Sequence, residues 1–368
     1  MQLLVVQQSV LIMKRSKFIR DLCKLVSIQS ESYKTARMMK HISKVVQSIP
    51  GCATNVDEYG NLYVTKGDGP YKCMVCHTDT VHDIVKAKVI PLQIKGNIIA
   101  VDSSTMTQIG TGGDDKVGIA ITLQLLKERE SMKAVFFLDE EVGCVGSSAM
   151  DKTFFDDCLY VLQCDRRGSN DFVNKISGTK LYSSDFSDAI KHLLNKYHRT
   201  ETSGGMTDVL EIAYKTQLSV ANMSCGYYNP HSNNEYINIH DVIQTYKLCR
   251  DIFTYINDKY NVTEKREAFN WSVPNHYYGG YHQDKYDWSL EHSDYDLSVQ
   301  EQAIHKVCGA GCGMYEGYCA DCMMSVEEMT EFYYEDNEQY QTKSTSVDNV
   351  IQIGPKNDDV SNGDQQVT

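Results

Sequence analysis

The sequence is short of several things, and each shortage removes a class of protein. Only 6 of its 368 residues are proline, too few for a collagen-like chain. No apolar run approaches the ~20 residues that a membrane helix needs. Positive charge is not in excess. The 36 Lys+Arg stand against 49 Asp+Glu, a formal charge of −13. Non-specific nucleic-acid binding needs a cationic surface, so it is not expected. The 13 cysteines are odd in number and lack the spacing of a disulfide framework. That excludes a stapled secreted toxin and fits a reducing compartment. Met1 to Met13 is apolar, but its first charge, Lys14, follows it. A secretory signal puts its basic residues first, so none is read here. The expectation is a soluble, cytoplasmic chain whose 42% hydrophobic content supports an ordinary core.

The charge is not evenly spread. Residues 263–368 hold 20 acidic and 6 basic residues, against 29 and 30 in residues 1–262. The whole negative excess therefore lies in the last 106 residues, which are also poor in Leu, Ile and Val. This divides the chain into a folded domain over 1–262, a linker over 263–304, a cysteine-rich segment over 305–323 and an acidic end over 324–368. The end is expected to be disordered, with charge suited to solubility or to a basic protein partner.

Within 1–262, helical and strand patterns alternate. Residues 17–49 carry two helical stripes separated at Ser30 to Ser32. Asn55 to Thr65 and the segments flanking Lys95-Gly96 read as hairpins. Tyr71–Cys76, Lys133–Leu138, Leu159–Gln163 and Gln217–Met223 read as strands. Lys116–Arg129 reads as an amphipathic helix; Asp185–Tyr197, Thr207–Lys215 and Ile239–Tyr260 are further helices. The predicted class is α/β: a three-layer αβα sandwich around a largely parallel mixed sheet.

Chemistry-bearing residues follow the predicted strands: His77-Thr78-Asp79, Asp114-Asp115, Glu140-Glu141 and Asp165, with His231 after the strand at 217–223. The carboxyl ends of strands in an open α/β sheet share one edge, so distant residues converge there. Singly, each is a solvated loop acid or a cap. Paired carboxylates at strand ends repel when buried unless a cation compensates them, and they occur twice. Two histidines and several carboxylates without thiolate suit a dinuclear site of Zn²⁺, Co²⁺ or Mn²⁺. One carboxylate would be shared by ions ~3.5–4 Å apart.

The strings CHTDTV (76–81), GTGGDDKVGIA (110–120), FLDEEVGCVGS (137–147), CDRRG (164–168), SGGMTD (203–208) and NPHSNNEYI (229–237) occur in this order. Together with GNLYVTKG (60–67), they resemble the family of peptidase T, carboxypeptidase G, aminoacylase and succinyl-diaminopimelate desuccinylase. The resemblance covers about residues 17–262 and implies a cocatalytic two-zinc hydrolase of peptide or amide bonds. It implies that His77 and Asp165 hold one ion, Glu141 and His231 the other, and that Asp114 bridges them. It makes Glu140 the general base and acid, and Asp79 the group that orients His77; Asp115 is no ligand. Gly112-Gly113 is either a close approach to the metals or a plain turn. The expected substrates are small peptides cut from the amino terminus. The rival readings are an amidase or N-acyl amino acid deacylase on the same site and a non-catalytic peptide-binding relative with a partner-binding tail.

The pattern also departs from the family. Relatives insert a second domain after the Asp165 motif, whereas only 41 residues, 166–206, precede Thr207 here. That leaves room for a strand or two and one helix. The lid's oxyanion histidine and carboxylate-binding arginine have no counterpart. Tyr227 and Tyr228 are candidates for the oxyanion or for packing. Arg166 and Arg167 are candidates for a substrate carboxylate or for plain surface charge. Cys308, Cys312, Cys319 and Cys322 form C-x3-C-x6-C-x2-C, read as a structural zinc knuckle, with a redox or unliganded cluster as the alternative. Cys73 and Cys76 alternate on a strand and read as core.

Overall fold

The computed structural model describes residues 17–264, 266, 314–315 and 318–319. Helix α1 runs through 17–26 and α2 spans Ala36–Gln47. Phe18, Leu22, Leu25 and Val26 of the first, and Met38, Ile42 and Val46 of the second, are buried, as the apolar stripes require. Strands β1 (Cys52–Val56) and β2 (Leu62–Lys66) pair antiparallel. Their turn is fixed by Asp57 Oδ1, which accepts the amides of Tyr59, Gly60 and Asn61 at 3.1, 2.9 and 2.9 Å, an aspartate doing what turn aspartates do. Next come β3 (Tyr71–His77), β4 (Val89–Ile94), β5 (Asn97–Asp102), β6 (Gln108–Ile109), α3 (Gly113–Glu128), β7 (Met132–Phe137), α4 (Val145–Ser148) and β8 (Cys158–Arg166). The remainder is β9 (Asp171–Ile176), β10 (Thr179–Lys180), α5 (Ser184–Lys196), β11 (Thr200–Gly204), α6 (Asp208–Lys215), β12 (Val220–Ser224), β13 (Tyr227–Tyr228), β14 (Tyr236–Asn238) and α7 (Ile239–Tyr255).

The main sheet has the order β1-β2-β7-β3-β8-β12-β9-β10, with β11 on β9. Its centre, β7-β3-β8-β12, is parallel throughout; β2 and β9 flank it antiparallel. Helices flank the sheet: α3 packs on β3 and β8 beside α2 and α7, while α6 packs on β12, β3 and β8 beside α4. With both faces covered, the central strands are apolar without alternation. Cys73, Met74, Val75 and Cys76 of β3 are all fully buried. A second, antiparallel sheet, β13-β14-β5-β4 with β6 on β5, stands beside the first.

Three expectations change in detail. The helix at 116–129 is not amphipathic: every residue from Val117 to Leu123 is buried, because α3 lies between the sheet and the layer of α2 and α7. Helix α7 stops at Tyr255, short of Tyr260, since the chain turns extended at Ile256 and returns to the sheet. There Tyr260 donates its amide to Leu159 and accepts that of Ser219 at 3.2 and 2.8 Å. Residues 166–206 form α5 and three short strands. The polar edge strand β11 (TETSG) carries no apolar alternation to announce it.

The folded body continues to Arg266, whose guanidinium donates to the carbonyls of Lys180, Ala213 and Leu218 at 2.9, 3.2 and 2.9 Å. Of the knuckle cysteines only Cys319 falls in a described element, the pair Met314–Tyr315 and Tyr318–Cys319. The four-cysteine ligation, the rest of the linker and the acidic end lie outside the described residues. Among the described residues no helix is long and apolar enough to cross a membrane.

His41 of α2 supplies a test of this packing. Burial, then the nearby Lys24, pushes its pKa down to about 4 from 6.5. Between those values the unfolded chain binds a proton that the folded chain does not, so stability is lost as pH falls through this window. His41→Gln is expected to flatten the fall in urea midpoint between pH 6.5 and 4. Parallel curves for the two proteins would contradict the burial argument.

Candidate metal centre

The parallel core places His77 at the last residue of β3, Asp165 near the end of β8, and Glu140-Glu141 just beyond β7. All three strands end on the same sheet edge. Asp114 joins them from the first turn of α3, and His231 from the loop between β13 and β14.

The turn before Asp114 requires glycine. Gly112 has φ 62°, and a Cβ there would lie 2.8 Å from Thr80 Cγ2 and 2.9 Å from Lys116 Nζ. A Cβ on Gly113 would lie 2.7 Å from Tyr227 Cβ. The close approach is thus to protein atoms that seat the turn. The Asp114–Asp115 peptide is cis.

The two oxygens of Asp114 face two different imidazoles: Oδ1 is 3.1 Å from His77 Nε2, and Oδ2 is 3.3 Å from His231 Nε2. Asp165 Oδ1 lies 3.6 Å from His77 Nε2, and Glu141 Oε2 lies 3.2 Å from His231 Nε2. Ligand atoms of His77, Asp114 and Glu141 all fall within 4.8 Å of one another, a group that could hold a metal ion. His77 is fully buried, whereas the His231 side chain is 52% exposed. His77 Nδ1 is 3.0 Å from the carbonyl of Asp79 and 3.4 Å from its carboxylate. A proton on Nδ1 leaves Nε2 to face the carboxylates as a lone-pair donor.

The supporting contacts are specific. Asp79 accepts the amides of Glu140 and Glu141 at 3.0 and 3.2 Å and the Ser32 hydroxyl at 2.7 Å. Asp115 faces inward and accepts the amides of His77 and Gly118 at 3.2 and 3.0 Å. Thr207 stands at the N-cap of α6, yet its hydroxyl does not cap the helix. It lies instead 2.7 Å from Asp165 Oδ2 and 2.9 Å from Gln163 Oε1. Asn222 grips the Asp165 backbone at both its amide and its carbonyl, at 2.9 and 2.7 Å.

The electrostatics are those of negative charge without enough compensation. Burial pushes Glu140 and Asp165 well up, and neighbouring carboxylates push them further. Burial and then Asp114 raise Glu141 to about 7, and burial raises Asp208 to about 6. Asp114 goes the other way: burial opposes its charge, but His231 and His77 hold it well below the carboxylate range. His231 is raised to about 9, chiefly by Asp114. Glu141 Oε1 and Asp208 Oδ1 are buried without a hydrogen-bond partner. Orphaned carboxylate oxygens, two inward imidazole nitrogens and the absence of thiolate from this donor set fit divalent zinc, cobalt or manganese.

Other sequence candidates are placed differently. Tyr227 is buried beside Gly113. The Tyr228 hydroxyl donates to Asp241 at 2.7 Å, and its ring stacks on Tyr236 at 5.1 Å, so it is engaged at the start of α7. Arg166 pairs with Asp171 at 2.6 Å, and Arg167 is exposed. Sequence reasoning gave no role to His82, Asp208, Thr207 or Glu235. Thr207, Asp208 and Glu235 lie inside the motif strings, which was the available signal; His82 lies just beyond one.

The fold is shared with solved aminopeptidases. Aminopeptidase PepT from Bacillus cereus ATCC 10987 is 17% identical over 65% of this chain and 98% of that one, with a TM-score of 0.55. A tripeptidase from Staphylococcus aureus subsp. aureus Mu50 is 15% identical over 65% and 97%, with a TM-score of 0.51. An aminopeptidase from the archaeon Desulfurococcus kamchatkensis is 14% identical over 65% and 95%, with a TM-score of 0.50. At such identities the likeness is one of fold. No protein-family model matches the sequence, and no curated protein matches it significantly.

If the cluster binds divalent cations, they must stabilise the folded chain. Zn²⁺ added to chelator-treated protein at 100 times its Kd is expected to contribute about 2.7 kcal/mol, read as a higher melting temperature. Asp114→Asn should lose most of that rise, whereas Arg167→Ala should keep it. A rise equal in all three proteins would place the ions elsewhere.

Proposed function

We propose that the chain is a metal-dependent hydrolase of small peptides, cutting from the amino terminus, with the catalytic core of the peptidase T and carboxypeptidase G family and no lid domain. The observation that carries this reading is Asp114, whose two oxygens face His77 and His231 separately at 3.1 and 3.3 Å. A carboxylate so placed suits two cations, one held with His77 and Asp165, the other with Glu141 and His231. Two such ions supply Lewis-acid polarisation of the scissile carbonyl and a water acidified toward neutrality.

The chain's own groups provide the rest. Glu140 has its amide fixed on Asp79 at 3.0 Å and its Oε2 4.0 Å from His77 Nε2. It sits at the edge of the cluster as its least closely paired carboxylate. Burial pushes its pKa up, which suits a group that takes the proton of the attacking water and returns it to the leaving amine. Asp79 and Ser32 hold the Glu140-Glu141 turn; Thr207 and Gln163 occupy Asp165 Oδ2 and leave Oδ1 toward His77. The likeness to aminopeptidases and a tripeptidase favours peptides over N-acyl amino acids. The cysteine segment would carry a third, structural zinc on Cys308, Cys312, Cys319 and Cys322.

The test is a panel of di- and tripeptides and N-acyl amino acids, run with wild type and Glu140→Gln at equal zinc content. Peptide hydrolysis is expected, with the variant slower by ~10²–10⁴-fold, the usual worth of a positioned general base. Equal rates would remove Glu140 from the mechanism. Activity confined to the acyl substrates would make the deacylase reading the better one.

A further inference from the structure

Glu235 is fully buried. Both of its oxygens are committed to the turn that carries Asp114. Oε2 accepts the Gly112 amide at 2.7 Å, and Oε1 accepts the Asp114 amide at 3.3 Å. Oε2 is also 2.9 Å from Nε2 of His82. The His82 ring packs against Gly110, where an added Cβ would fall 2.0 Å from its Cε1. Glu235 closes the loop that presents His231: its amide donates to Ser232 at 3.1 Å, and its carbonyl accepts from Gln108 at 3.3 Å. That loop bends through positive φ at Asn229 and His231 (53° and 59°), and its histidine is the exposed one of the pair.

A buried carboxylate is costly unless it is paired and hydrogen-bonded. This one is retained where it ties three separate loops together: 81–88, 110–114 and 229–235. Two of them carry Asp114 and His231, which face each other at 3.3 Å. We infer that Glu235, backed by His82, is a positioning residue that docks the His231 loop onto the Asp114 turn and so assembles one half of the metal centre. The other half, His77 with Asp165, rests on β3, β8 and α6 and meets Glu235 only through the shared Asp114. The inference rests on the metal-centre reading above, and it makes the two ions separable.

The experiment is a titration of chelator-stripped, full-length protein with Zn²⁺ against a chromophoric chelator, without substrate. In Glu235→Ala, one of the two core zinc equivalents is expected to weaken by ~10–100-fold, the usual effect of losing a group that orients a ligand. Its curve should match that of His231→Ala and differ from that of Asp165→Asn. His82→Ala should shift the same equivalent by less. Zinc held by the tail cysteines would appear as a step common to all variants. A Glu235→Ala curve like wild type overturns the inference, as does equal weakening of both equivalents together with a lower melting temperature of the stripped protein. Should Glu235→Ala not fold, Glu235→Gln, which keeps one acceptor oxygen, decides by the same criterion. Wild type that takes up no core zinc would sink the metal reading and this inference with it; two equivalents of equal affinity in wild type and Glu235→Ala would sink the inference alone.

Discussion

Four carboxylates, those of Asp114, Glu140, Glu141 and Asp165, are held against two imidazoles at one edge of a parallel sheet, and their mutual repulsion is the constraint on which the rest depends. Buried negative charge of this density is tolerated only with compensation. Among the described residues the nearby cations are engaged elsewhere: Arg166 is paired with Asp171, and Lys116 donates to the carbonyls of Thr111 and Val26. What the fold supplies is orientation. The Thr207 hydroxyl and the Gln163 amide occupy Asp165 Oδ2, while Asp165 Oδ1, both Asp114 oxygens and Glu141 Oε2 face His77 Nε2 or His231 Nε2. The arrangement leaves His77, Asp114 and Glu141 grouped so that they could hold a metal ion.

That logic explains residues that would otherwise break local rules. Thr207 sits where a threonine normally caps its helix, yet its hydroxyl is turned to Asp165. Asp139 adopts φ 56° and accepts the Tyr33 amide and the Tyr59 hydroxyl at 2.7 and 2.9 Å. Such departures gather where function is carried, because surrounding contacts override local preference.

How much was legible in the sequence follows from the same physics. The central strands were visible because burial on both faces makes them continuous apolar runs, as in Cys73 to Cys76. The convergence of His77, Asp114, Glu140, Glu141 and Asp165 was legible because parallel strands put their carboxyl ends together. The all-round burial of α3 was not, since a second helical layer covers the face that would otherwise be polar. Nor was the true engagement of Tyr228 and Arg166. Proximity along the chain put them near ligands, but Asp241 and Asp171, one distant and one local, take their polar groups. The −13 of the whole chain was the least informative number, because it combined a near-neutral body with an acidic tail.

The two halves of the centre differ in kind. His77 and Asp165 belong to the sheet itself, fully or nearly buried, and Asn222 and Thr207 bind Asp165 to the neighbouring β12 and α6. His231 belongs to a loop of the smaller sheet, is half exposed, and reaches Asp114 and Glu141 across a turn that Glu235 fastens. A rigid half set in the core and an accessible half on a docked loop give the site a direction. On the proposed function, substrate would reach the centre from the half-exposed His231 side, because His77 is buried among β3, β8 and α3. The 41 residues between Asp165 and Thr207 form α5 and three short strands and no inserted domain. On that reading, selectivity among peptides would fall to the loops around His231 themselves.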